Sequence, residues 1–204
     1  MTKRRVYVVD DEEPIRRSSR LMLSVLGYDV AAFETGSAFL DSPAVLEPGC
    51  ILLDIRMPHV DGLQVQQELN RRGAPHPVVM MSGHGDIGVA VPAFENGAVA
   101  FLEKPFSRAA LVGALEVAFA KLEDGPAFQR YVDAARVAIG KLREGDAAVL
   151  HLIAGGFGKD AIAAELGVPV DSVEVARARI FAALGIDSIT DALRLAFAGG
   201  IRAP

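Results

Sequence analysis

Four sites in the N-terminal part of this 204-residue chain carry residue types that handle phosphate or a hard cation: the acidic run Asp10-Asp11-Glu12-Glu13, then Asp54, Ser82 and Lys104. Each lies at the end of a short apolar run, namely Arg5 to Val9, Cys50 to Leu53, Val78 to Met81 and Val99 to Leu102. Runs of this kind bounded by turn residues read as strands buried on both faces. A carboxylate at the carboxyl end of such a strand can attack a phosphoryl group or ligate a hard cation. It could equally cap the turn that follows. Paired acids with a third acid form an all-oxygen site suited to magnesium, Lys104 supplies a point positive charge for a phosphate, and the Ser82 hydroxyl can donate to a phosphate oxygen. Each residue also has a structural reading: acids favour a helix N-terminus, a serine caps a helix, and a lysine is solvated.

The elements that must bring these residues together alternate along the chain. Pro14 stands in a first-turn position, and Ile15, Leu21, Met22, Val25 and Leu26 give an amphipathic helix ending at Gly27. Tyr28 to Phe33 reads as a second strand, and Ser37 as the cap of a short helix through Leu40. Further helices are expected over Gln64 to Arg72, about Ile87 to Asn96, and from a Ser107 cap to about Leu122. Strands alternating with helices predict a doubly wound α/β domain with a five-stranded parallel sheet. Its strand ends place Asp10, Asp11, Asp54, Ser82 and Lys104 on one edge, where ligands of such sheets bind.

Composition limits the function classes. Hydrophobic residues make up 51% and charged residues 23%, the balance of a soluble globular protein. No uncharged apolar run of about 18 residues exists, so no membrane span is expected, and the N-terminal apolar stretch is too short for a signal-peptide core. The single cysteine, Cys50, excludes an internal disulfide and fits a reducing cytoplasm. Residues 1–125 hold 12 Lys+Arg and 17 Asp+Glu, while residues 126–204 hold 9 of each. The acidic excess therefore lies where a cation site is expected, and the second half lacks the basic excess usual in nucleic-acid binders.

With Asp10-Asp11, Asp54 followed by Met57-Pro58 and Asp61-Gly62, Ser82, and Lys104-Pro105-Phe106 in place, residues 1–122 resemble the flavodoxin-like receiver domain of two-component response regulators. The resemblance implies that Asp54 accepts a phosphoryl group from a histidine kinase. It also implies a magnesium ion (Mg2+) held by Asp11, Asp54 and the Arg56 carbonyl with help from Asp10. Lys104 would bridge to the phosphoryl group, and Ser82 would move toward it with Phe101 following as the switch aromatic. Pro92 departs from the pattern: it falls in the fourth helix, part of the surface through which this family commonly dimerises, and a proline there removes a backbone donor.

Glu123-Asp124-Gly125-Pro126 breaks the alternation. Phe128, Val132, Ala135 and Ile139 recur at helical spacing, so a linker helix over 123–141 is expected, followed by a small all-α domain over 142–204. There, Lys159 to Leu166, Gly167, and Asp171 to Leu184 have the spacing of a helix-turn-helix, and Ser188 with Asp191 reads as a capping box. The stretches Ala161 to Val168 and Ser172 to Arg177 resemble the LuxR-type DNA-binding domain, and the terminal Arg194 to Gly200 points to the FixJ branch.

Val173, Ala176, Ile180 and Leu184 would form the buried stripe of the recognition helix. Lys159, Ser172, Glu174, Val175, Arg177 and Arg179 are the candidate DNA contacts, with Glu174 able to accept from a cytosine amino group and the arginines able to reach phosphates or guanines. Three positions depart from the family: Ala176 in place of a histidine, Lys159 in place of an asparagine, and Leu142-Arg143-Glu144-Gly145 without a Ser or Thr cap.

The function these features predict is a cytoplasmic, phosphorylation-dependent transcription regulator that binds a two-fold site on double-stranded DNA as a homodimer. A phospho-dependent protein-interaction module or phosphate sink is the alternative. A phosphatase is disfavoured, because the position two residues after Asp54, where such enzymes keep a general acid, is Arg56.

Overall fold

The computed structural model describes residues 3–42, 47–83 and 87–202. Five strands, β1 (Arg5–Val9), β2 (Asp29–Phe33), β3 (Cys50–Asp54), β4 (Val78–Ser82) and β5 (Ala100–Glu103), pair in parallel in the order β2-β1-β3-β4-β5. Every residue of β3 and β4 is buried, as expected for central strands covered on both faces. On one face Val6, Val8, Leu52 and Val79 pack against Leu23 of α1 (Glu13–Val25) and Leu111, Leu115 and Phe119 of α5 (Arg108–Glu123). On the other face the Tyr7 ring meets Phe39 of α2 (Gly36–Leu40) at 5.5 Å. Burying side chains of this size contributes about 1.5–3 kcal/mol each.

Local chemistry sets the element ends. Pro14 occupies the first turn of α1, and the Ser107 hydroxyl caps α5 by accepting from the Ala110 amide at 3.1 Å. Helix α3 (Gly62–Arg71) starts two residues before the predicted Gln64. Asp61 accepts from the Gln64 amide at 2.8 Å and the Gln64 side chain accepts from the Asp61 amide at 3.0 Å, a closed capping box. The predicted Ser37 cap is corrected to Thr35, whose hydroxyl lies one residue before Gly36 and reaches Ala38 N. The second strand begins at Asp29, because Tyr28 instead stacks on Phe119 with ring centres 5.7 Å apart.

By its contacts the chain divides into two units, one of residues 1–84 and 96–125, the other of 85–95 and 126–204. The second comprises α4 (Ile87–Glu95), α6 (Gly125–Gly140), α7 (Glu144–Ala154), α8 (Lys159–Leu166), α9 (Val170–Leu184) and α10 (Ile189–Ala198). Helix α4 runs through Pro92, and its Phe94 ring stacks on Phe197 of α10 at 5.7 Å.

Between α8 and α9 the chain turns at Gly167, whose φ of +65° favours glycine. Helix α7 has Arg143 at its N-cap position and no side-chain cap. Ser188 accepts from the Asp191 amide at 3.0 Å, but its hydroxyl donates to the Asp191 carboxylate at 2.8 Å, so the reciprocal half of the predicted capping box is replaced by a side-chain bond.

Candidate functional site

The carboxyl ends of β1, β3, β4 and β5 bring Asp10, Asp54, Ser82 and Lys104 to one edge. Asp54 is the last residue of β3 and is paired with Met81, while the backbone after it is fixed by the Ile55 amide donating to Met81 O at 3.0 Å. The Lys104 amide donates to Ser82 O at 2.7 Å, carrying the register of β4 and β5 past the strand end. The ammonium of Lys104 then lies 2.5 Å from Asp54 Oδ1 and 2.7 Å from Asp10 Oδ2, with Glu12 Oε1 at 3.7 Å. Asp10 and Ser82 are 0% and 1% exposed, so the groups meet in a place shielded from water.

Asp10 is held at both ends of its residue. Its Oδ1 accepts from the Glu12 amide at 2.9 Å, and its carbonyl accepts from Arg16 Nη1 at 2.8 Å. Burial, with the charge of Asp10 added to it, raises the Asp54 carboxyl above its ordinary pKa, while the Lys104 ammonium and the Arg56 backbone pull it down. Burial alone would lower the Lys104 ammonium, but its hydrogen bonds to Asp10 and Asp54 outweigh that and hold it above its ordinary value. Two carboxylates and one ammonium leave a net negative field, and the oxygen donors Asp10, Asp54 and the Arg56 carbonyl are of the hard class that suits a magnesium ion.

Two further predicted residues lie beside these groups in sequence. Asp11 is half-buried and makes no side-chain hydrogen bond or ion pair among the described residues, and no three acids there form a ready cage for a metal. Phe101 is 6% exposed within β5, opposite Met80.

Burial sets the upward direction of the Asp54 titration, and Lys104 is the chief influence opposing it. With Lys104→Met, the largest attraction for the charged carboxylate is gone while burial and Asp10 remain, so the Asp54 pKa rises further. A 13C NMR titration without metal should show Asp54 protonating at higher pH in the variant than in the wild type, and in both at higher pH than an exposed aspartate. An unchanged or lowered midpoint in the variant would contradict the assignment. Because only the ionised carboxylate is a nucleophile, reactivity with phosphodonors falls as pH drops through that midpoint.

In the second unit, Val173, Ala176 and Ile180 are buried, and Leu184 is half-buried. Ser172, Glu174 and Val175 are exposed on α9, Val175 to 55%. Glu174 accepts from Arg177 Nη1 at 3.3 Å and lies 4.0 Å from Lys159 Nζ. Arg179 is committed elsewhere: its guanidinium binds both oxygens of Asp146 on α7, one through Nε at 3.1 Å. The Asp146 side chain is only 5% exposed, and the Arg179 hydrogen bonds hold its pKa below the ordinary value. This tie between α7 and α9 was missed by sequence reasoning, because 33 residues separate two groups that each look like surface charges.

Residues 6–116 match the family model of the response regulator receiver domain. The chain is 36% identical over 200 residues to the transcriptional regulatory protein FixJ of Azorhizobium caulinodans, an alignment covering 96% of this chain and 93% of that one. It is 34% identical to FixJ of Rhizobium meliloti, with 98% of each covered. The crystal structure of full-length FixJ from B. japonicum superposes with a TM-score of 0.58 at 32% identity, again covering 98% of both chains.

Proposed function

Since this chain belongs to the FixJ-type response regulators, with a receiver domain and a C-terminal DNA-binding region, we propose that it accepts a phosphoryl group on Asp54 from a histidine kinase and binds promoter DNA as a dimer in response. The observation that carries the proposal is the Lys104 ammonium bridging Asp54 and Asp10 at the carboxyl edge of the sheet. That arrangement supports a reaction in which an Asp54 oxygen attacks phosphorus, an O–P bond forms, and the P–N bond of phosphohistidine breaks with its electron pair leaving on the imidazole. In this reading Lys104 exchanges its contact with the Asp54 oxygen for one with a phosphoryl oxygen, and the Ser82 hydroxyl donates a hydrogen bond to another.

Asp10, Asp11, Asp54 and the Arg56 carbonyl would hold the magnesium ion. When bound, it supplies charge neutralisation at the phosphoryl oxygens. Phe101 would follow Ser82 as the switch. The polypeptide itself performs no turnover in this reading: Arg56, two residues after Asp54, offers no acid to assist release. Among the described residues no helix is long and apolar enough to cross a membrane, and a cytoplasmic place alongside the kinase's transmitter region is part of the proposal.

The DNA-binding half of the proposal is supported by the Gly167 turn and by the exposed α9 residues Ser172, Glu174, Val175 and the partly exposed Arg177, with Lys159 on α8 beside them. Footprinting on the DNA upstream of the gene, with and without acetyl phosphate and magnesium, tests it. Two-fold symmetric protection that strengthens with the phosphodonor is expected, with half-sites about one helical turn apart. Absence of protection in both states at low salt would instead leave a phosphate-accepting interaction module.

A further inference from the structure

The exposed face of α9 and the start of α8 carry two cations that could meet a phosphate backbone, Lys159 and Arg177, and both are turned toward one carboxylate. Glu174 Oε1 and Oε2 are each 3.3 Å from Arg177 Nη1, and Oε1 is 4.0 Å from Lys159 Nζ. The Arg177 guanidinium lies 5.9 Å from the centre of the Phe181 ring, and its Nε is buried without a hydrogen-bond partner. Glu174 is thus the principal polar partner of a guanidinium with donor capacity left over.

We propose that Glu174 is a specificity-determining residue that holds Lys159 and Arg177 back from non-specific duplex and releases them at a site presenting a cytosine. The inference rests on the DNA-binding reading above. Against an arbitrary duplex, the carboxylate adds repulsion from the phosphates and neutralises cations that would otherwise displace counterions. Opposite a cytosine, the N4 amino group donates to Glu174 in place of the arginine, and Arg177 becomes free to contact an adjacent phosphate or guanine. One side chain therefore penalises wrong sequence and rewards right sequence. This accounts for a reader whose half of the chain has equal numbers of acids and bases, 9 of each.

The test uses full-length protein phosphorylated with acetyl phosphate, and compares wild type with Glu174→Gln and with the control Glu165→Gln, an exposed acid on α8. Binding is measured to a random-sequence duplex and to the protected site across a salt series. Glu174→Gln should bind random duplex about tenfold more tightly near 0.1 M salt, with a salt slope steeper by about one phosphate contact. Selection of binding sites from a random pool should lose a cytosine preference at one position per half-site. Glu165→Gln should change these quantities much less.

Equal affinity, slope and base preference for wild type and Glu174→Gln would overturn the inference while leaving DNA binding intact. A shift of the same size in Glu165→Gln would also overturn it, since any lost negative charge would then suffice. If neither wild type nor Glu174→Gln binds any duplex at low salt, both the inference and the DNA-binding reading fall.

Discussion

Asp54→Asn protein incubated with acetyl phosphate and magnesium takes up no phosphoryl group, and its DNA binding no longer responds to the donor. Loss of at least about a thousandfold in phosphorylation is expected, because removing a nucleophile outright costs up to about 10⁶ in comparable covalent chemistry. The amide is nearly the same size as the carboxylate, and Lys104 keeps its contact with Asp10 at 2.7 Å, so the fold should survive. Burial and the neighbouring Asp10 already disfavour the Asp54 charge, and removing that charge does not leave an isolated buried cation. Intact-mass measurement of donor-treated protein reads the modification directly, with circular dichroism as the check on folding. Comparable uptake by Asp54→Asn and wild type would place the acceptor elsewhere.

The second large effect comes from a residue with no functional group. The Gly62 amide donates to Ile55 O at 2.9 Å, which draws the start of α3 tightly against the end of β3. A Cβ at position 62 would collide with the Asp54 carbonyl oxygen and come within 2.9 Å of Ile55 Cα, and backbone cannot swing aside as a side chain can. Overpacking of this kind costs about 1–3 kcal/mol or more, each kcal/mol lowering the melting temperature of a domain of this size by about 4 °C. Gly62→Ala should therefore melt well below wild type, and what remains folded should react slowly with phosphodonors because the Asp54 backbone has been displaced. Gly113→Ala is the contrast. It lies in α5 with nothing within 4 Å of its added Cβ, and should be neutral or slightly stabilising. Equal melting temperatures for Gly62→Ala and wild type would show that the β3–α3 junction gives way more readily than its packing implies.

The sheet and the meeting of Asp10, Asp54 and Lys104 were readable because apolar runs ending in chemically distinctive residues leave a strong linear pattern. Alternation with helices forces those ends onto one edge. The Asp61–Gln64 box has a linear signature too, an Asp-x-x-Gln pattern, and it sets the start of α3 two residues before Gln64. Thr35 and Ser37 are both plausible caps, and only the path of the backbone decides between them. Asp11 shows a different limit: Lys104 draws in Asp10, whereas Asp11 is half-buried with no side-chain hydrogen bond or ion pair among the described residues, so only its place beside Asp10 and the resemblance speak for its role. The grip of Arg179 on Asp146 had no linear signature at all, since it depends on how α7 and α9 cross.

That grip changes how α9 can be altered. With Val173, Ala176 and Ile180 seated in the interior and Arg179 fastened to α7, the rod is keyed against rolling about its own axis. The outward positions 172, 174 and 175 can then be exchanged like type in a fixed frame. New target preferences could be written into them without re-seating the helix, provided the anchoring arginine is left untouched.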